Sequence, residues 1–175
     1  NAVTTDAQGN IFVAGSVNGV IDGSQISGGG SDAYFTKLDP NGNVVYSQQF
    51  GGAGDQAATA IQVDNQGHVF VLYNSNGEAM LSEYADAAGG SPLYTTDLGN
   101  VGSGSATGLA LDGNGNVYVT GTTGSGDLNG TAQNAFTGTS DGFVQQVNAT
   151  TGAINYVSYI GSSGATQATS VAVNG

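Results

Sequence analysis

Asp112-Gly113-Asn114-Gly115-Asn116-Val117-Tyr118-Val119-Thr120-Gly121 decides the reading of this chain, because the same pattern stands at two other places. Asp6-Ala7-Gln8-Gly9-Asn10-Ile11-Phe12-Val13-Ala14-Gly15 precedes it, and Asp64-Asn65-Gln66-Gly67-His68-Val69-Phe70-Val71 lies between. Self-similarity of this kind marks an architecture in which one supersecondary unit is copied and stacked. Reading backwards from the Asp, Ala58-Thr59-Ala60-Ile61-Gln62-Val63-Asp64, Ala106-Thr107-Gly108-Leu109-Ala110-Leu111-Asp112 and Ala168-Thr169-Ser170-Val171-Ala172-Val173-Asn174 match position for position. Apolar residues at every second place predict a strand with one buried face. The Asp-x-x-Gly that follows predicts a turn, since Asp can bond its own backbone and Gly takes a positive φ. The Ile11 to Ala14 type of segment is then a second strand.

Further out from the anchor, a third strand follows an acidic residue in each copy, at Asp32 to Leu38, Glu78 to Tyr84 and Asp141 to Val147. A fourth is tagged by Tyr, an apolar residue four places on, and Gly: Tyr46, Phe50 and Gly51 align with Tyr94, Leu98 and Gly99, and with Tyr156, Ile160 and Gly161. Asp39-Pro40-Asn41-Gly42-Asn43 between third and fourth strands is strong hairpin punctuation. Four antiparallel strands joined by hairpins, copied three times, predict an all-β fold, a β-propeller segment of three four-stranded blades. The expected boundaries are 1–57, 58–105 and 106–167, with 168–175 opening a following blade. Length varies mainly between second and third strands, where 16–31 and 122–140 are long Gly/Ser/Thr/Asn connections and unit two has only 74–77.

These residues resemble the bacterial β-propeller repeat called SBBP, whose pattern runs D-x-x-G-N-x-Y-V-x-G-x-T, then D-A-F-V-x-K-L-D, then G-x-x-V-Y-S-x-x-x-G-G. Asp32 through Asp39, Val45-Tyr46-Ser47 and Gly51-Gly52 follow it in unit one, and Asp112 through Thr122 in unit three. Unit two departs, with His68 for Asn, Tyr73 for Gly and no long loop. The resemblance implies a large exported or surface-attached bacterial parent protein, with relatives linked to flagellar systems and mostly without assigned chemistry. Three units fall short of the usual four to eight blades of a closed ring. Neighbouring repeats of a longer parent, or a second copy of the chain, are therefore expected to cover the open blade faces.

Composition narrows the function classes. Thirteen acidic residues face one basic residue, Lys37, for a formal charge of −12, so a polyanion such as nucleic acid is repelled. The absence of Cys removes disulfides and thiolate metal sites. No apolar run approaches the roughly 20 residues that cross a bilayer, so no membrane span is expected. A polarity carried by Asn, Gln, Ser, Thr and Gly suits a secreted or cell-surface protein.

Each candidate for chemistry meets a simpler structural reading. Gly138-Thr139-Ser140-Asp141-Gly142 fits the Gly-x-Ser-x-Gly pattern of a hydrolase nucleophile, but that motif needs a strand-turn-helix setting with a His and an acid. Gly29-Gly30-Ser31-Asp32-Ala33 holds the same place in unit one, and the one His, His68, fills a turn slot held elsewhere by Asn10 and Asn116. Asp112-x-Asn114-x-Asn116 and Asp39-x-Asn41-x-Asn43 have the alternating oxygens that open a calcium loop, yet Val117 and Thr123 stand where such a loop wants Gly and Glu. They are expected to be hairpin turns. The excess of acid allows a structural Ca²⁺ in the loops around Asp22, Asp55 and Asp127, and no other cofactor is expected. Asp32, Glu78 and Asp141 recur at one repeat position, which predicts a backbone-bonding role at a strand entrance, and the Tyr and Phe residues are expected in the core. No catalytic, cofactor or metal residue is assigned. The expected function is a non-enzymatic scaffold or binding module for a protein or carbohydrate partner. The alternatives are a polysaccharide-active enzyme and a structural spacer of a surface or flagellum-associated filament.

Overall fold

A computed structural model describes residues 1–21 and 29–174. The chain forms β1 Ala2–Thr5, β2 Ile11–Val17, β3 Asp32–Leu38, β4 Val44–Phe50, β5 Gln56–Val63, β6 Val69–Ser75, β7 Glu78–Tyr84, β8 Tyr94–Asn100, β9 Ser105–Leu111, β10 Asn116–Thr123, β11 Asp141–Asn148 and β12 Ile154–Ile160. They make three four-stranded sheets in sequence order, β1-β2-β3-β4, β5-β6-β7-β8 and β9-β10-β11-β12. This is an all-β fold of antiparallel meanders, consistent with a three-blade part of a β-propeller. Among the described residues no helix is long and apolar enough to cross a membrane. Residues 168–174, expected to open a further blade, lie outside the named strands and run beside β9, where the Thr107 hydroxyl donates to the Thr169 carbonyl at 3.2 Å.

The turn after each first strand is closed by its Asp. The Asp6 carbonyl accepts from Gly9 N–H and the Asp64 carbonyl from Gly67 N–H, with Gly9 at φ 83° and Gly67 at φ 88°. In that left-handed region a side chain is strained, which is why the pattern demands Gly there. Unit two replaces the long connection between second and third strands by Asn76-Gly77, at φ 52° and 88°. Two successive positive φ values define the hairpin turn whose twist matches that of the strands it joins.

Two irregularities repeat with the sequence. The register shifts between Ala58 and Ala60 and between Thr120 and Gly121, the latter opposite Ala106-Thr107-Gly108, so the Thr of each Ala-Thr is the extra residue of a bulge. The shifts at Lys37/Leu38 and Gln146/Val147 occupy one repeat position as well. Bulges of this kind bend a strand and re-aim the side chains beyond them.

Two compact units divide the chain, one made of Asn1–Asn76 with Ser82–Tyr94, the other of Gly77–Leu81 with Thr95 onward. The core of the first holds Phe12, Phe35, Phe70 and Leu72. An aromatic cluster links its strands: the Phe35 ring lies 5.3 Å from Tyr84 and 6.1 Å from Tyr46, and Phe50 lies 5.2 Å from Tyr73 and 5.4 Å from Tyr84. The core of the second holds Leu81, Leu98, Val117, Val119, Phe143, Val147 and Val157. These are inward positions of the alternating pattern; Phe12, Phe35, Phe70, Phe143, Tyr73, Tyr84 and Tyr159 are buried as expected, whereas Tyr34, Tyr46, Tyr94, Tyr118 and Tyr156, with Phe50 and Phe136, are only half-buried.

Phe35 is 0% exposed and touches three other rings, whereas Val44 at the start of the edge strand β4 is 65% exposed. Phe35→Ala is expected to lower stability by about 3–5 kcal/mol, read as a fall in the urea midpoint with little change of slope. Val44→Ala should change it by less than about 0.5 kcal/mol.

Candidate functional site

In the first and third sheets, the loop that enters the third strand meets the loop that leaves the fourth. In the first unit, Ser31 N–H and hydroxyl donate to Asp55 Oδ1 at 2.8 and 3.2 Å, Gly30 N–H donates to the Gly54 carbonyl, and Gln56 N–H donates to the Ser31 carbonyl at 2.7 Å. In the second unit, Thr166 N–H donates to the Ser140 carbonyl at 2.8 Å, the same bond two repeats on. The acidic residue that opens the third strand sits beneath each junction. Asp32 and Asp141 are buried, at 3% and 0% exposure.

What holds those acids differs between copies. Gln49 on β4 donates its amide to Asp32 Oδ2 at 2.8 Å and to the Gly19 carbonyl, and accepts from Ile21 N–H, so one side chain fastens the loop to the strand entrance. Asn100 at the end of β8 donates to Glu78 Oε1 at 2.9 Å. Thr137 N–H donates to Asp141 Oδ2 at 2.8 Å. The expected backbone role holds for Asp141, and Asp32 and Glu78 each receive a side-chain amide. Register places Tyr159 where unit one has Gln49, since Tyr34 pairs with Gln49 and Phe143 with Tyr159. Tyr159 fastens its own loop through its hydroxyl, which accepts from Leu128 N–H at 3.1 Å.

The four Asp-x-Asn-like segments are hairpin clasps. Asp39 Oδ1 accepts from Asn41 and Asn43 N–H at 2.8 and 2.9 Å, and Oδ2 from the Asn43 amide at 2.8 Å. Asp112 repeats this with Asn114 and Asn116 N–H at 2.8 and 2.9 Å and the Asn116 amide at 2.9 Å. Donors therefore face these carboxylates, which suits a turn. The Asn43 and Asn116 side-chain bonds, followed by the backbone ones, hold the Asp39 and Asp112 carboxyls below their ordinary values. Of the acids expected near a loop cation, Asp22 lies outside the described residues, Asp55 is engaged by Ser31, and Asp127 accepts from the Ser125 hydroxyl. Among the described residues no three His, Cys, Asp or Glu side chains gather as a metal cluster.

In unit two His68 keeps the turn slot, with Nδ1 3.1 Å from Asp64 Oδ2, and also lies 3.2 Å from Glu83 Oε1. Sequence reasoning missed Glu83. Its signal was the register, because Glu83 holds the repeat position of Lys37, which pairs across to Phe12 and forms an ion pair with Asp86. Burial pushes the Glu83 carboxyl up, against the pull of His68. Gly138 through Gly142 enters β11 from a loop, without the helix a nucleophile elbow requires. On the first unit an open groove of about 590 Å³ is lined by Ile21, Val44, Val45, Tyr46, Ser47, Ala88 and Gly89, and Tyr46 is held in its wall by a 2.8 Å bond to Asp86 Oδ1.

These meandering four-stranded sheets are consistent with blades of a β-propeller. Residues 93–129, which take in β8, β9 and β10, match the family model SBBP, a beta-propeller repeat. The match bears out the resemblance drawn from Asp112 through Thr122. Comparison with the curated proteins finds no match.

A depressed carboxyl value in the folded chain means that the unfolded chain takes up the proton first. The contribution of the Asp39 and Asp112 clasps is therefore present above the unfolded value of about 3.9 and is lost as pH falls through the lowered folded values. Asn43→Ala combined with Asn116→Ala should lower stability at neutral pH by more than it does in acid below the unfolded value of about 3.9, and so flatten the acid slope; urea titrations at neutral and acid pH check this.

Proposed function

We propose that the chain is a non-enzymatic scaffold or binding module of a secreted or cell-surface bacterial protein, presenting loops of one blade rim to a protein or carbohydrate partner. One observation carries the reading. In both units the loop before the third strand is tied to the loop after the fourth, through Ser31–Asp55 in one and Ser140–Thr166 in the other. The rigid sheets thus hold two connections side by side at each strand entrance, the disposition by which repeat proteins gather a binding surface. The acids at these entrances are engaged as acceptors by Gln49, Asn100 and Thr137, which supports a supporting rather than a catalytic role. The groove floored by exposed Val44 and Val45 adds apolar surface of the kind that contacts partners.

The chief rival is a polysaccharide-active enzyme working at the same loops. Incubating the chain with a panel of neutral and acidic polysaccharides separates the two. Retention of a glycan without release of reducing ends or unsaturated products supports the binding module, and product release overturns it. Deletion of 18–29 is expected to abolish retention while the melting temperature stays within a few degrees; undiminished retention would remove the loop from the surface. A structural spacer, the third reading, predicts concentration-dependent polymers in sedimentation.

A further inference from the structure

The Asp141 carboxylate is fully buried, and its Oδ1 has no hydrogen-bond partner. Thr137 N–H serves Oδ2, whereas the atoms gathered near Oδ1 include two carbonyl oxygens. A Cβ placed on Gly138 would come within 2.6 Å of both Asp141 Oδ1 and the Ser162 carbonyl oxygen, and closer still to the Gly164 carbonyl oxygen. The three oxygens therefore ring one small space beside Gly138. On its other side the carboxylate rests against Gly161, where a Cβ would clash with Oδ1, Cγ and Oδ2 together. Glycine on both sides is what lets the backbone approach the carboxylate this closely, since a Cβ at either position would collide with these oxygens.

Three acceptors turned on one space repel one another unless something positive sits among them, and a buried carboxylate oxygen without a partner costs several kcal/mol. Unit one resolves the same problem with Gln49, whose amide donates to Asp32. Unit three has Tyr159 at that position, whose hydroxyl accepts from Leu128 N–H and makes no bond to Asp141 Oδ1. The chain's basic side chains, Lys37 and His68, are bound elsewhere, to Asp86 and to Asp64 with Glu83.

The geometry points to a Ca²⁺ site formed by Asp141 Oδ1 and the carbonyl oxygens of Ser162 and Gly164. The donor set is all oxygen, which a hard cation takes in preference to zinc or copper. Ser162, Ser163 and Gly164 are exposed, so waters reach the outer side and complete the six to eight ligands of Ca²⁺, whose flexible shell suits backbone carbonyls better than the strict octahedron of Mg²⁺. One carboxylate and neutral carbonyls place the dissociation constant at about 10⁻⁴–10⁻³ M, the range of weak extracellular modules. Bound there, the ion ties the head of β11 to the loop after β12, the junction that Asp55 and Ser31 close in unit one.

The test begins with the full chain stripped by chelator and titrated with CaCl2 and MgCl2 by calorimetry and thermal melting. About 10 mM Ca²⁺ is expected to raise the melting temperature by about 5 °C, with a weaker response to Mg²⁺. Asp141→Asn, which keeps the shape and supplies an amide donor, should lose the Ca²⁺ response, and Asp32→Asn should keep it. An unchanged response in Asp141→Asn overturns the site. So does a wild-type chain indifferent to Ca²⁺. Should Asp141→Asn fail to fold, crystals of the wild type soaked in CaCl2 decide: anomalous density beside Asp141 Oδ1, Ser162 O and Gly164 O supports the site, and its absence there overturns it.

Discussion

Carboxylates with almost no cations to meet them set the terms for this molecule. Thirteen acids share one Lys and one His, so most buried or turn-forming acids must be stabilised by N–H groups. The recurring solution is the Asp clasp. One oxygen of Asp6, Asp39, Asp64 or Asp112 takes two backbone N–H groups and the other takes the side chain four residues on. This bonding closes the hairpin, and the closed hairpin sets which residues oppose one another across the sheet. Because a one-residue slip would turn every apolar side chain to the wrong face, the core depends on these turns. Phe12, Phe70 and Val119 are buried where the register places them.

Differences between the copies carry the specific chemistry. At one repeat position stand Lys37, Glu83 and Gln146, and opposite them the clasps carry Asn10, His68 and Asn116. Lys37 lies against Asp6 and Asp86, Glu83 against His68, and the Gln146 amide donates to the Tyr118 hydroxyl. Each substitution is answered by a neighbour that satisfies it. The strand entrances vary in the same way, with Gln49 serving Asp32 and Asn100 serving Glu78. Asp141 is the copy in which no amide fills that place, and there the backbone carbonyls of the next loop come close instead. A scaffold shared by three copies thus acquires distinct local sites by loss of one donor.

Much of the architecture was legible because strands and hairpin turns are local. Alternation over Ala106 to Leu111, Gly at positive φ in the turns, and acids at Asp32, Glu78 and Asp141 placed the third strands where they lie. Thr59 and Thr107 looked like ordinary strand residues, since a bulge depends on the partner strand and not on the strand's own periodicity. The calcium-like segments at Asp39 and Asp112 gave their turn character away in sequence by lacking Gly and Glu at the required places. The contacts of Asp55 with Ser31 and of Tyr159 with Leu128 join residues far apart along the chain, and no spacing rule reports them.

The amino-acid order alone therefore determined strands, turns, the threefold copying and the acidic, cation-poor character, all of which follow from period, φ preference and charge. Tertiary structure decided which carboxylates receive donors. Solvation of a buried charge depends on the few atoms that reach it in space, and Asp32 and Asp141, alike in sequence position, differ because the Gln49 amide reaches the first, whereas the second receives Thr137 N–H on one oxygen and no donor on the other.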